Sequence, residues 1–131
     1  MAHLIHINDP SVFQETLDKV SQEQEYTIAI ITGVVDPATG KNWCPDCEVA
    51  KPNIKKCIID KFHGKILYCE VDRASWKGTP LHPYKASPFL KVKGVPTVLG
   101  ILGGLDIVMR AEADEDFQNL ELLSAITDPN A

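Results

Sequence analysis

Apolar positions along the chain change their period several times, and each change marks a structural element. His3 to Ile7 reads as a short strand, after which Asp9-Pro10-Ser11 gives a helix-start signal ahead of Phe13, Leu17 and Val20 at helical spacing. Thr27 to Thr32 is an apolar, β-branched run (Ile28, Ala29, Ile30, Ile31), the composition of a strand buried on both faces at a sheet centre. Gly33 to Asn42 contains Asp36-Pro37 and Gly40 and reads as a loop. From Pro45 to about His63, Cys47, Ala50, Ile54, Cys57, Ile58 and Phe62 fall on one broad helical stripe facing the sheet. A kink is expected at Pro52 inside this helix, and Gly64 is expected as its C-cap.

Lys65 to Val71 alternates as a further strand, with Ile66 and Tyr68 against Leu67, Cys69 and Val71. Asp72 to Val92 carries Gly78, Pro80, Pro83 and Pro88, which predicts a loop with at most a short broken helix around Tyr84 to Leu90. Thr97 to Leu102, the turn Gly103-Gly104, and Leu105 to Arg110 read as a hairpin. Asp114 is then expected to cap a last helix running through Phe117, Leu120, Leu123 and Ile126. The order is α/β, without internal repeat or low-complexity segment.

The chemistry concentrates in Trp43-Cys44-Pro45-Asp46-Cys47, at the predicted junction of loop and helix. Two intervening residues let the two sulfurs meet within one helical turn, so an attack by one on a target disulfide can be resolved by the other. Pro45 suits the first helical position, where its missing N–H costs nothing. Cys44 then sits where free backbone amides and the helix dipole favour negative charge, which makes it the expected nucleophile and Cys47 the resolving thiol. The Asp46 carboxylate beside the pair repels a developing thiolate and opposes part of that effect. Half of a zinc site has the same Cys-X-X-Cys spacing, but Cys57 and Cys69 do not form a second close pair, and no metal is expected.

The remaining cysteines read as core. Cys57 lies about 15 Å along the helix from Cys47 at 1.5 Å per residue, beyond the roughly 7 Å reach of a disulfide. Cys69 shares a strand face with Leu67 and Val71 and reads as a small buried hydrophobe. Nothing in the sequence fixes His63 or His82 as a base against Cys44.

At 131 residues with 44% hydrophobic residues, the chain fits one domain spanning 1–131. A formal charge of -5 and no basic run argue against nucleic-acid or anionic-membrane partners. No apolar run approaches a membrane span, and Met1-Ala2-His3-Leu4 lacks the features of a secretory signal, so a cytoplasmic location is expected. In that compartment thiols stay reduced, which favours reactive or buried cysteines over a disulfide framework.

Trp43-Cys44-Pro45-Asp46-Cys47, Pro52 five positions after Cys47, and Gly94-Val95-Pro96-Thr97 before the hairpin together resemble the thioredoxin fold. The Pro-Asp interior, the long loop before Trp43, and Tyr68-Cys69-Glu70-Val71 followed by Trp76-Lys77 are similar to a narrower family, the thioredoxin-related proteins of 14 kDa, also called thioredoxin domain-containing protein 17. The resemblance covers nearly the whole chain. It implies a central mixed β-sheet of about five strands flanked by about four helices. It also implies a cytosolic disulfide reductase with no bound cofactor, recharged from NADPH by thioredoxin reductase and acting as a monomer on cystine, oxidised protein cysteines or peroxiredoxins. Carried over by position, Cys44 is the attacking thiol, Cys47 the resolving thiol, Pro96 the facing cis-proline, and Val95 the donor of backbone groups to substrate. Trp43 would shield one side of the disulfide, or pack against the loop.

Two departures limit the resemblance. The central strand carries Ile30 where general thioredoxins carry a buried acid, so the usual proton acceptor for Cys47 is absent. Asp46 is a candidate substitute, with a solvated helix-start carboxylate as the other reading. Pro83 and Pro88 fall where the narrower family is more helical and predict a shortened third helix. Two functions follow: a disulfide reductase, or a binding module whose dithiol is a redox-sensitive latch with little turnover. Val34 to Asn42, placed just before Trp43, is the segment expected to set selectivity.

Overall fold

The computed structural model describes residues 2–129. Its elements run β1 (His3–Ile7), α1 (Phe13–Ser21), β2 (Tyr26–Gly33), α2 (Pro45–Ile54), β3 (Lys65–Val71), α3 (Arg73–Trp76), α4 (Pro83–Ala86), β4 (Thr97–Leu102), β5 (Asp106–Ala111) and α5 (Leu120–Ile126). The strands form a five-stranded sheet in the order β1-β3-β2-β4-β5. β1, β3 and β2 are parallel, whereas β4 runs antiparallel to β2 and β5 antiparallel to β4. This is the α/β thioredoxin fold expected from the sequence.

The period of two in β2 divides the core. Ala29 and Ile31 pack with Leu67, Cys69, Leu99 and the α1 residues Phe13, Leu17 and Val20 on one face of the sheet. Ile28 and Ile30 pack with Ile66, Val98, Ile54, Leu123 and Ile126 on the other. Burying a side chain such as Ile or Leu stabilises by about 1.5–3 kcal/mol, so β2 anchors both layers. Asp9 opens the first helical segment as expected, its carboxylate accepting from the Ser11 amide at 2.9 Å ahead of a short 3-10 turn, Pro10–Val12. Gly103 and Gly104, at φ of 62° and 71°, supply the left-handed pair the β4-β5 turn demands.

Four local expectations are corrected. The helix from Pro45 does not run to His63 as α-helix. It ends at Ile54 and continues as a π-helical turn over Lys55–Ile59, in which the Asp60 amide reaches the Lys55 carbonyl. The stripe survives the change, since Cys57, Ile58 and Phe62 are all buried. Gly64 is no left-handed cap. A Cβ there would come within 2.9 Å of the Phe62 ring, so the glycine serves close packing.

Asp72 to Val92 holds two short helices where at most one was expected. Asp72 caps α3 by accepting from the Ser75 amide, and His82 caps α4 through Nδ1, which accepts from the Tyr84 amide at 3.2 Å. Asp114 caps nothing, and the last helix is broken. Asp116 accepts from the Glu112 and Ala113 amides at 3.0 Å over a 3-10 turn, Asp114–Gln118, and Asn119 then leaves helical geometry to cap α5 by accepting from Leu122.

Because β4 is antiparallel to β2, with Thr97 opposite Ile31, the C-terminal ends of β2 and β3 meet the start of β4 at one edge of the molecule. Ligand sites in open α/β sheets collect at such carboxyl ends.

Candidate active site

The loop leaving β2 is closed by its own backbone. Val35 and Asn42 form an antiparallel bridge, and the Asp36 amide donates to the Lys41 carbonyl at 2.8 Å. Asn42 then fixes the approach to the cysteines from both sides. Its Nδ2 donates to the Gly33 carbonyl at 2.6 Å, its Oδ1 accepts from the Cys44 amide at 2.9 Å, and its own amide donates to the Glu48 carboxylate. Trp43, half-buried, reaches across the loop, its Nε1 donating to the Val71 carbonyl at 2.8 Å. Pro45 occupies the first turn of α2 and is exposed.

Cys44 takes the N-cap position of α2 with extended backbone geometry, φ -99° and ψ 109°. Its sulfur accepts from the Cys47 amide at 3.2 Å, the contact that a serine or aspartate makes at an ordinary cap. The same thiol donates to the Val95 carbonyl at 3.5 Å. The Val95-Pro96 peptide bond is cis, and the Cys44 thiol thus contacts the carbonyl on the near side of a buried cis-proline, with Val95 itself half-buried. Cys44 is 6% exposed and Cys47 2% exposed, and both are free thiols.

Cys47 is held differently. Burial pushes its thiol well above the ordinary value, and its hydrogen bond with Cys44 adds to that rise. Two donors from β2 oppose it: the Thr32 hydroxyl, and the Gly33 amide at 3.4 Å from the sulfur. The sulfur lines a cavity of about 190 Å³ walled by Ile30, Ile54, Ile59 and Tyr68, with Thr32 and Lys51 among its polar lining. Among the described residues lining this cavity there is no carboxylate. Asp46 is exposed and lines a separate groove with Val49, Asp114, Glu115 and Phe117.

Thr32 escaped the sequence reading. Its signal was available, since β2 alternation places Ile28, Ile30 and Thr32 on one face, and Thr32 is the hydroxyl that ends an otherwise apolar row. Cys57 and Cys69 are buried apart from the pair, and burial raises the Cys69 thiol to about 12. His82 lies in the α4 cap beside Trp76. Among the described residues no cluster of three or more His, Cys, Asp or Glu could hold a metal ion, and no helix is long and apolar enough to cross a membrane.

Comparison with known proteins follows the same lines. The family described as thioredoxin domain-containing protein 17-like, thioredoxin domain, matches residues 7–123. Thioredoxin domain-containing protein 17 of Epinephelus coioides is 36% identical over 102 residues, 76% of this chain and 79% of that protein. The human protein of that name is 36% identical over 91 residues, 68% of this chain and 72% of its own length. A protein named acireductone dioxygenase from Leishmania infantum is 34% identical over 96 residues, 68% of this chain, and the match spans only 28% of that longer protein. Among solved structures, reduced thioredoxin of Schistosoma mansoni superposes with a TM-score of 0.58 at 13% identity, covering 95% of this chain and 98% of the other.

Proposed function

The chain belongs to the thioredoxin domain-containing protein 17-like family, and from that premise we propose that it is a cytosolic disulfide reductase working through Cys44 and Cys47. The observation that carries the reading is the contact of Cys44 Sγ, at the start of α2, with the Val95 carbonyl beside cis Pro96. An extended substrate laid against Val95 presents its disulfide to the outer sulfur, in the manner of strand addition.

The chemistry runs in two exchanges. Cys44, as thiolate, attacks one sulfur of the substrate, forming a Cys44-substrate disulfide and releasing the first thiol. Cys47 then attacks Cys44 Sγ, the mixed disulfide breaks, and the second substrate thiol leaves with the proton that Cys47 gives up. The protein is left oxidised by two electrons as a Cys44-Cys47 disulfide. We assign its re-reduction to thioredoxin reductase with NADPH, no cofactor being bound by the chain itself. Cystine, other small disulfides, selected oxidised proteins and peroxiredoxins are the proposed substrates, handled by a monomer. The closed loop from Val34 to Asn42, stiffened by the Val35-Asn42 bridge, is proposed to narrow that range by limiting approach to Cys44.

Trapping tests the order of events. Cys47→Ser protein incubated with cystine accumulates a mixed disulfide at Cys44, seen as one added half-cystine in the intact mass. Cys44→Ser protein does not. Equal trapping by both variants would reverse or remove the assigned roles.

A further inference from the structure

Once Cys44 is tied to substrate, Cys47 must lose its proton in a mostly apolar cavity whose other titratable lining is Lys51, Lys55 and Tyr68 and which no carboxylate lines. Desolvation disfavours the thiolate there, so the sulfur needs donors already in place. Two consecutive residues at the end of β2 provide them. The Gly33 amide donates to the Cys47 sulfur at 3.4 Å, and Thr32, next to it in β2, lines the same cavity as that sulfur. Both belong to a strand held on either side, by β3 through Thr32 opposite Glu70 and Gly33 opposite Val71, and by β4 through Ile31 opposite Thr97. Their geometry is therefore set before the charge forms. Preorganised donors of this kind lose little to reorganisation during the reaction and act more strongly where water is excluded. Thr32 is itself only 6% exposed.

We propose that the Thr32 hydroxyl and the Gly33 amide form a two-donor cradle for the Cys47 thiolate in the resolving step, Thr32 being a catalytic residue of that step. This rests on the reductase reading for its place in a cycle, although the cradle itself is a property of the folded chain. In the step, the Cys47 S–H bond breaks and the Cys47 Sγ–Cys44 Sγ bond forms. The Cys44–substrate bond breaks, and the departing substrate sulfur takes the electron pair and the proton. Thr32 keeps its own proton throughout and donates it as a hydrogen bond to the sulfur while the charge is there. Asp46, facing a different groove, takes no part.

The test compares Thr32→Val, which keeps the shape, with Thr32→Ser, which keeps the hydroxyl. In the full chain carrying Cys44→Ser, the rate of iodoacetamide alkylation at Cys47 is followed against pH by peptide mass spectrometry. Loss of a hydrogen bond to a charged group moves such an equilibrium by roughly tenfold or more, which is about one pH unit or more in the midpoint. Thr32→Val should shift the Cys47 profile upward by that amount, and Thr32→Ser should restore it. In the intact dithiol, Thr32→Val should leave first attack by Cys44 on cystine unchanged and prolong the mixed disulfide about tenfold. Thr32→Ala carries the same expectations if valine is not accommodated. A profile unmoved by removing the hydroxyl, or one that serine fails to restore, overturns the proposal. A wild-type protein that reduces no disulfide yet shows the Thr32-dependent profile overturns the reductase reading and leaves the cradle standing.

Discussion

Trp43 lies directly over Gly33, so close that a Cβ at Gly33 would come within 2.9 Å of the indole Nε1. The Asn42 side chain closes on the same position from the loop. Gly33 is thus the residue that lets the redox loop fold back onto the end of β2, and its use is steric.

Gly33→Ala should therefore displace both Trp43 and Asn42. Overpacking of this kind costs about 1–3 kcal/mol. The expected result is a lower urea midpoint with unchanged slope, together with reduced disulfide-reductase activity. Since the Trp43 Nε1–Val71 contact would be strained, the indole emission should also change. An alanine variant matching wild type in stability and emission would mean that the loop is not packed as described.

His82 gives a pH dependence whose sign follows from its cap. Burial lowers its pKa first, the nearby Lys85 ammonium lowers it further, and Asp72 pulls weakly the other way. The unfolded chain therefore binds this proton more readily than the folded one. The stabilisation is complete above the unfolded value near 6.5 and is lost as pH falls through the lower folded value. Protonation also removes the lone pair on Nδ1 that accepts from the Tyr84 amide. In a His82→Asn variant the introduced side-chain amide can cap without titrating. Urea midpoints measured from pH 7.5 to 5 should fall more steeply for wild type than for His82→Asn. Parallel curves would assign the acid sensitivity to other groups.

The thiols should also separate by reactivity. Cys69 is fully buried, its thiol is raised to about 12, and its hydrogen goes to the Leu67 carbonyl at 3.8 Å. Only thiolate reacts with alkylating reagents, so at neutral pH native Cys69 should stay unlabelled until the protein unfolds. Cys44, at 6% the most exposed of the four thiols, should be modified first. Cys69 labelled as fast as Cys44 in folded protein would contradict the described core.

What could be read from the sequence follows from where each signal is stored. β2 and β3 announce themselves because runs such as Ile28 to Ile31 have few alternatives to a central strand, and the Gly103-Gly104 turn because two left-handed positions need glycine. The segment from Asp72 to Val92 was not legible, because its two helices are single turns. They depend on the Asp72 and His82 side-chain caps and on the burial of Trp76 and Tyr84, which only the folded core provides. The π turn over Lys55–Ile59 hides behind an unchanged apolar stripe, and the break at Asn119 hides behind an unbroken helical spacing from Phe117 to Ile126. At the site, the dithiol could be anticipated from its local motif, and the cis bond before Pro96 from the family resemblance that Gly94-Val95-Pro96-Thr97 helps to carry. The cavity that Thr32 and Cys47 line together could not, because it depends on how α2 lies against the end of β2.

A reductase requires Cys44 and Cys47 to cycle between dithiol and disulfide, and turnover tests that most directly. NADPH consumption would be followed with thioredoxin reductase present, using cystine and insulin as separate substrates, for wild type, Cys44→Ser and Cys47→Ser. The predicted result is many turnovers with cystine, slow reduction of insulin, and loss of activity in both variants. An intact dithiol that supports no turnover with either substrate would contradict the reductase and favour a redox-sensitive binding module.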